Sequence, residues 1–150
     1  MIDNVQLRRG ILTDITAIHA IESVVGFTRW TTLQIAQSLR QHTVWVLLDA
    51  TQTIIAYSMF LQVLDEAELL NIAVAPAMQG QGVGRYLLQQ NFIELSQMGV
   101  ASCFLEVAEG NHAAIALYTA LRFSQQGLRK NYYQFDNGAQ HALVMRKDLL

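Results

Sequence analysis

The chain has 150 residues and a formal net charge of −2, with 52% hydrophobic and only 15% charged residues, which excludes a disordered chain and suits a domain with a substantial core. Its longest apolar runs, such as Val44–Leu48, are too short to span a bilayer, and no apolar segment beside basic residues marks a signal peptide. The single cysteine, Cys103, points to the reducing cytoplasm, and the weak negative charge argues against nucleic acid as the main partner while mildly suiting an amine-bearing one.

Val5–Leu7 is expected as a short first strand. Thr13 is the expected N-cap of a helix that sets Ile15, Ile18, Ile21 and Val25 on one face. Gly26-Phe-Thr-Arg-Trp30 reads as a loop, and Thr31 with Gln34 as the capping box of a second helix carrying Leu33, Ala36 and Leu39. The pattern then turns extended over Val44–Leu48 and Ile54–Val63, where Ile55, Tyr57, Met59, Leu61 and Val63 alternate onto one side. The acidic run Leu64-Asp-Glu-Ala-Glu68 reads as a turn feeding a strand over Leu69–Val74. Val83 to Met98 has helical periodicity, with Gly99 as its stop. Ser102–Val107 is the next strand, and Asn111 caps a helix carrying Ile115, Tyr118 and Leu121. A hairpin closes the chain, Phe123–Phe135 against Ala142–Arg146, with its turn at Asp136-Asn-Gly138.

This order implies an α/β (α+β) fold in one domain over residues 1–150, a mixed sheet of about seven strands flanked by about four helices. Three consecutive strands imply antiparallel meanders, and two strand–helix–strand crossovers imply local parallel pairing.

The most informative stretch runs from Asn71 to Leu88. An apolar strand breaks at Pro76, glycine recurs at positions 80, 82 and 84, and a helix follows. A glycine loop opening a helix gathers unpaired backbone N–H groups at the positive end of the helix dipole, a cradle for phosphate. A nucleotide P-loop requires Lys and then Ser or Thr after its last glycine, where Arg85-Tyr86 stand here. A dinucleotide fingerprint requires its third glycine where Arg85 lies. Both readings fail on spacing. A tight ligand-free connection remains as the plain alternative, although a simple turn rarely needs three glycines.

Gln79-x-x-Gly82-x-Gly84, after a strand ending in Val74-x-Pro76, resembles the acetyl-CoA motif of the GNAT N-acetyltransferases. Val63-Leu-Asp-Glu-Ala67, Asn71-Ile-Ala-Val74, Leu105-Glu-Val107, Asn111-x-Ala-Ala-Ile-x-Leu-Tyr118 and Asn131-Tyr-Tyr133 are similar, in order, to its RimI-type branch, the ribosomal-protein-alanine N-acetyltransferases. The resemblance implies acetyl-CoA as co-substrate and a protein N-terminus as acceptor, an alanine-starting ribosomal protein in particular. It implies that loop amides over Gln79, Gly80, Gln81, Gly82, Val83, Gly84 and Arg85 hold the pyrophosphate, with Asn111 as a further contact. It also implies a strand bulge at Ile72, Ala73 and Val74, which admits the pantetheine arm and offers backbone N–H to the thioester oxygen.

Acetyl transfer needs the amine deprotonated and the departing thiolate protonated. An α-amine, with a pKa of about 7.7–8.0 against about 10.4 for lysine, needs only a modest base near neutrality. Glu106 is the candidate base, on a strand face shared with Phe104 and Ser102 that shows no other acid, so its carboxylate is expected to be desolvated. Its plain alternative is a structural carboxylate at a strand end. Tyr118 is the candidate acid, although a tyrosine at that spacing is commonly core. Asn111 serves equally well as a helix cap. Phe27 and Trp30, in the loop that borders the acceptor groove in this family, and Tyr132 and Tyr133 are candidate substrate contacts. Cys103 falls on the opposite strand face and reads as a buried small hydrophobe. His19, His42, His112 and His141 have no metal-ligand spacing, so no metal is expected.

One position departs from the family pattern. Arg122 stands where a glycine usually ends the Tyr118 helix, so either that helix ends differently or a non-glycine residue carries left-handed strain. Two other functions stay open on sequence alone: a GNAT acting on a small-molecule amine or lysine side chain, and a non-catalytic acyl-CoA-binding module, for which Glu106 and Tyr118 would be superfluous.

Overall fold

The computed structural model describes residues 2–26, 29–135 and 138–150. In chain order the elements are β1 (Gln6–Arg9), α1 (Ile15–Val25), α2 (Thr32–Gln41), β2 (Thr43–Leu48), β3 (Ile54–Val63) and β4 (Glu66–Val74). Then follow α3 (Val83–Gln97), β5 (Ser102–Ala108), α4 (His112–Ala120), β6 (Ser124–Phe135) and β7 (Gly138–Asp148). The 7-stranded sheet has the order β1-β2-β3-β4-β5-β7-β6. Among the described residues no helix is long and apolar enough to cross a membrane.

Two crossovers produce one parallel pair where two were expected. β4 and β5 are parallel, but β7 folds back between β5 and β6 and pairs antiparallel with both. The hairpin therefore takes the place beside β5 that the second crossover would have filled. Of its expected turn, Asp136 and Asn137 lie outside the described residues, while Gly138 has φ +116° and opens β7.

Helices cover both faces of the central strands. Ile18, Ile21 and Ile35 from α1 and α2 pack with Val44, Val46, Tyr57 and Met59 on one face. Leu88, Leu95 and Tyr118 from α3 and α4 pack with Phe60, Leu105 and Phe123 on the other. The central part of β3 is covered on both faces: Ile55 through Phe60 are buried, and only past the cover do Leu61 and Val63 become accessible. The acidic turn is also shorter than expected. Leu64, at φ +56°, and Asp65 make it, and Glu66 to Glu68 already belong to β4.

The helix starts divide by cause. Thr31 accepts from the Gln34 N–H at 3.2 Å while Gln34 Oε1 accepts from the Thr31 N–H at 2.8 Å, so this capping box forms as read. Thr13 does not cap α1. A 3-10 turn over Leu12–Asp14 precedes it, with Asp14 as the boundary residue. The Asp14 carboxylate accepts from the Ile11 N–H at 2.8 Å and from both terminal nitrogens of Arg8 at 2.8 and 3.0 Å, tying β1 to α1. A partner six residues upstream, on β1, was not visible in the local cap pattern.

The Arg8 hydrogen bonds hold the Asp14 carboxyl below its ordinary range, against the opposing effect of burial. A carboxyl with a lowered native pKa contributes stability above its unfolded value, about 3.9, and loses it as pH falls through the native value. Asp14→Asn is therefore expected to be less stable than the parent at pH 7, with the gap narrowing as pH falls below the unfolded value of about 3.9. Thermal denaturation across this pH range checks this.

At the end of α4, Arg122 takes φ +70°. Its N–H donates to Thr119 O at 3.0 Å, and the Phe123 N–H donates to Tyr118 O at 3.0 Å, the paired bonds of a Schellman ending. The Phe123 and Tyr118 rings meet at 5.8 Å, supplying the hydrophobic contact that accompanies it. The helix thus ends as a glycine would end it, and arginine carries the strain. Arg122→Gly is expected to stabilise the fold by about 1 kcal/mol, a Tm rise of roughly 2–4 °C by calorimetry.

Candidate active site

The site begins where two strands part. β4 and β5 pair from Glu66 with Ser102 to Leu69 with Leu105 and no further. Beyond that point β4 follows β3 to Val74, and β5 follows β7 to Ala108. The bulge that accompanies the parting lies at Leu70, not at Ile72–Val74: pairing steps from Met59 with Asn71 to Phe60 with Leu69, leaving Leu70 extra. One added residue there bends β4 just as its parallel neighbour is lost.

The Ala75 N–H donates to Ile55 O at 2.8 Å, which sets the alternation along this end of β4. Ala73 and Asn71 then direct their backbone groups to β3, and Ile72 and Val74 direct theirs into the opening. Gln79 Nε2 closes off the Val74 carbonyl at 3.0 Å. The Ile72 and Val74 amides remain as donors at the mouth of the opening.

A cleft of about 580 Å³ lies between the glycine loop, the end of β4 and the start of α4. Gly80 and Gly82 have φ +76° and +81°, a left-handed backbone that accounts for two of the three glycines. Gly84 lies within the first turn of α3, where a Cβ would sit 3.6 Å from both Val74 Cγ2 and Leu117 Cδ2, so its missing side chain keeps the cleft open. Tyr86 N–H, bonding Gly82 O at 3.0 Å, is the first amide of α3 with an acceptor in its own turn. The amides of Val83, Gly84 and Arg85 before it are available to an anion. Gln79 and Arg85 line the cleft, whereas the Gln81 side chain turns back to Ala77 O at 3.2 Å and does not. This donor set fits a pyrophosphate with an extended arm running toward Ile72.

A smaller pocket of about 130 Å³ continues from the cleft through the parted strands; the two share Val25, Ile72, Asn111 and Tyr118. Glu106 enters it from β5, Tyr118 from α4 and Tyr133 from β6. Tyr118 is buried, and burial raises its phenol above the ordinary value, so it stays protonated at neutral pH and can donate. Among the described residues its hydroxyl has no hydrogen-bond partner. Asn111 Oδ1 accepts from the Ala114 N–H at 3.3 Å and also lines both spaces, so its capping position puts it at the site.

The surroundings of Glu106 differ from the expected acid-free face. Arg129 pairs with it at 2.7 Å, and Glu68 from β4 lies close enough for its carboxyl to be raised, by burial first and then by Glu106. Neither neighbour is close in sequence. Tyr133 donates its hydroxyl to the Glu106 carbonyl at 3.2 Å, and burial, then Glu106, pushes that phenol up to about 12. Tyr132 is 45% exposed, with the Arg129 guanidinium 3.9 Å from its ring centre, and stands outside the pocket. Trp30 packs against the core under α1 and α2 rather than lining either space, and Phe27 lies outside the described residues. Cys103 is fully buried, and burial pushes its thiol up to about 12, far from a reactive thiolate.

Sequence reasoning passed over Val25, which lines both spaces from the end of α1, and also Asn71, Glu22 and Arg129. Glu22 carried a usable signal: it falls four residues after Ile18 and three before Val25, an acid on an apolar helix face. Arg129 carried none, because its partner is 23 residues away.

These features define a family. Residues 13–123 match the model described as Acetyltransferase (GNAT) family, and the chain belongs to that family of acetyl-CoA-dependent N-acetyltransferases. It is 38% identical over 133 residues to the [ribosomal protein bS18]-alanine N-acetyltransferase of Escherichia coli K12, covering 89% of this chain and 90% of the relative. The crystal structure of the ribosomal-protein-S18-alanine N-acetyltransferase from E. coli superposes with a TM-score of 0.90 at 35% identity, covering 97% of this chain and 94% of that one. A chimera of the Vibrio cholerae spermidine N-acetyltransferase SpeG and hSSAT shares the fold, with a TM-score of 0.86 at 19% identity and coverage of 98% and 96%.

The contact distances at Gly84 lead to a clean expectation. Gly84→Val should fold with a Tm near that of the parent, since its Cβ meets only ordinary contacts. Its methyls would fill the cleft and weaken acetyl-CoA binding by roughly tenfold or more, measurable by calorimetric titration.

Proposed function

We propose that residues 1–150 form a single N-acetyltransferase domain that acetylates the N-terminal α-amine of a protein, in particular an alanine-starting ribosomal protein, in the cytoplasm. The likeness to the E. coli bS18-alanine enzyme over most of both chains supports the acceptor. The observation that carries the chemistry is the small pocket, where Glu106 and Tyr118 meet from different elements beside the free end of β4.

The loop amides from Val83 to Arg85 and the left-handed backbone at Gly80 and Gly82 hold the pyrophosphate of acetyl-CoA, which supplies an activated thioester carbonyl. Ile72 and Val74 direct their N–H groups to the carbonyl oxygen and stabilise charge as it develops there. Glu106, directly or through a water, takes the proton from the attacking amine. Arg129 holds that carboxylate in place by a charge-assisted bond. Tyr118, protonated because it is buried, donates to the departing sulfur. Asn111 fixes the start of α4 and with it the position of Tyr118, two turns along.

Thiol release with acetyl-CoA should be fast with peptides bearing a free N-terminal alanine and absent once that amine is blocked. Faster turnover of spermidine than of any peptide would overturn this acceptor. Glu106→Gln and Tyr118→Phe should each lower kcat by roughly 10²–10⁴-fold and leave acetyl-CoA affinity nearly intact. Unaltered rates in both would refute the two roles.

A further inference from the structure

Glu22 is 1% exposed, on the apolar face of α1, and among the described residues no lysine or arginine pairs with it. Its Oε1 accepts from the Tyr57 hydroxyl at 2.5 Å and from Asn71 Nδ2 at 2.7 Å, and its Oε2 accepts from the Trp30 N–H at 3.2 Å. A Cβ on Gly26 would fall 1.6 Å from Oε2, so the chain vacates that position for the carboxylate. A buried acid without a cation is costly to keep, and a leucine would complete the apolar stripe. Three donors and a glycine are nevertheless arranged around it.

Asn71 gives the arrangement its direction. It directly precedes Ile72 and lines the small pocket with Glu106, Tyr118 and Tyr133. A carboxylate only accepts hydrogen bonds, so the amide atom that faces Glu22 is Nδ2. Oδ1 is then the polar atom that Asn71 can present to the pocket. We propose that Asn71 Oδ1 accepts a hydrogen bond from the attacking amine of the acceptor, and that Glu22 is the positioning residue that locks the amide in this orientation. This rests on the acetyl-transfer reading of the pocket.

The chemistry requires such a group. The amine nitrogen forms the bond to the acyl carbon as the carbon–sulfur bond breaks; its proton goes to Glu106, and the sulfur takes one from Tyr118. A second N–H on that nitrogen takes part in neither transfer. Anchoring it on Asn71, across the parted strands from Glu106, aims the lone pair at the carbonyl. Asn71 moves no proton, so its contribution lies in acceptor binding and orientation.

The test uses the full chain and whichever amine the wild type turns over fastest from a panel of N-terminal peptides and polyamines. A polyamine preference would overturn the N-terminal acceptor and leave this test intact, since Asn71 is assigned to the amine group and not to its bearer. Asn71→Leu should raise acceptor KM about tenfold with acetyl-CoA affinity unchanged. Glu22→Gln keeps the shape but can donate to Oδ1, letting the Asn71 amide turn its NH2 toward the pocket, so acceptor KM should rise here as well. The double variant should show no further rise in acceptor KM, as expected of two residues that act through one hydrogen bond. Asn71→Ser, too short to reach, provides the same reading if the leucine variant does not fold. An unchanged acceptor KM in folded Asn71 variants, or an equal loss of acetyl-CoA affinity, would overturn the assignment.

Discussion

The parting of β4 from β5 beyond Leu69 and Leu105 is the constraint on which the molecule turns. Paired strands satisfy one another's backbone groups and leave nothing for a ligand. Here the pairing stops with both strands still anchored, β4 on β3 and β5 on β7, so the opening is rigid on each side. The Leu70 bulge supplies the bend, and Ile72 and Val74 are left with unshared amides facing the gap. The cleft on the α3–α4 side and the small pocket among β4, β5 and β6 then communicate through the sheet itself.

The surrounding fold serves to hold this opening. The glycine loop follows β4 after a single 3-10 turn over Pro76–Met78, so its amides and those of Ile72 and Val74 belong to one continuous stretch. Tyr118 is delivered by a short helix fixed at both ends, by the Asn111 cap and by the Schellman ending at Arg122 and Phe123. Backbone strain at Arg122 is tolerated because those paired bonds and the Phe123–Tyr118 contact determine the ending. On the acceptor side, Glu106 is braced by Arg129 and Tyr133, and the end of β4 by the buried Glu22.

Legibility followed distance along the chain. The Thr31–Gln34 box, the Asn111 cap, the glycine stop of α3 and the glycine loop before it are features of a few residues each, and each was readable from residue types and spacing. The Asp14 brace, the bulge position and the surroundings of Glu106 were not. Asp14 is drawn from the role of helix cap by Arg8, the bulge is set by register against β3, and Glu106 meets Arg129 and Glu68 only once β4, β5 and β6 are assembled.

The sequence by itself determined the order of elements, the glycine loop that opens α3 and, through a resemblance spread over several motifs, the family. These rest on local backbone preference and on residue identity, which survive without knowledge of the fold. Only the tertiary structure decided that one crossover is parallel and the other is interrupted by β7. It alone brought Glu106, Tyr118, Asn71 and Tyr133 to a single pocket, and revealed a buried acid holding one of them. Such contacts join residues far apart in the chain, and no local pattern encodes which distant partner the packing will select.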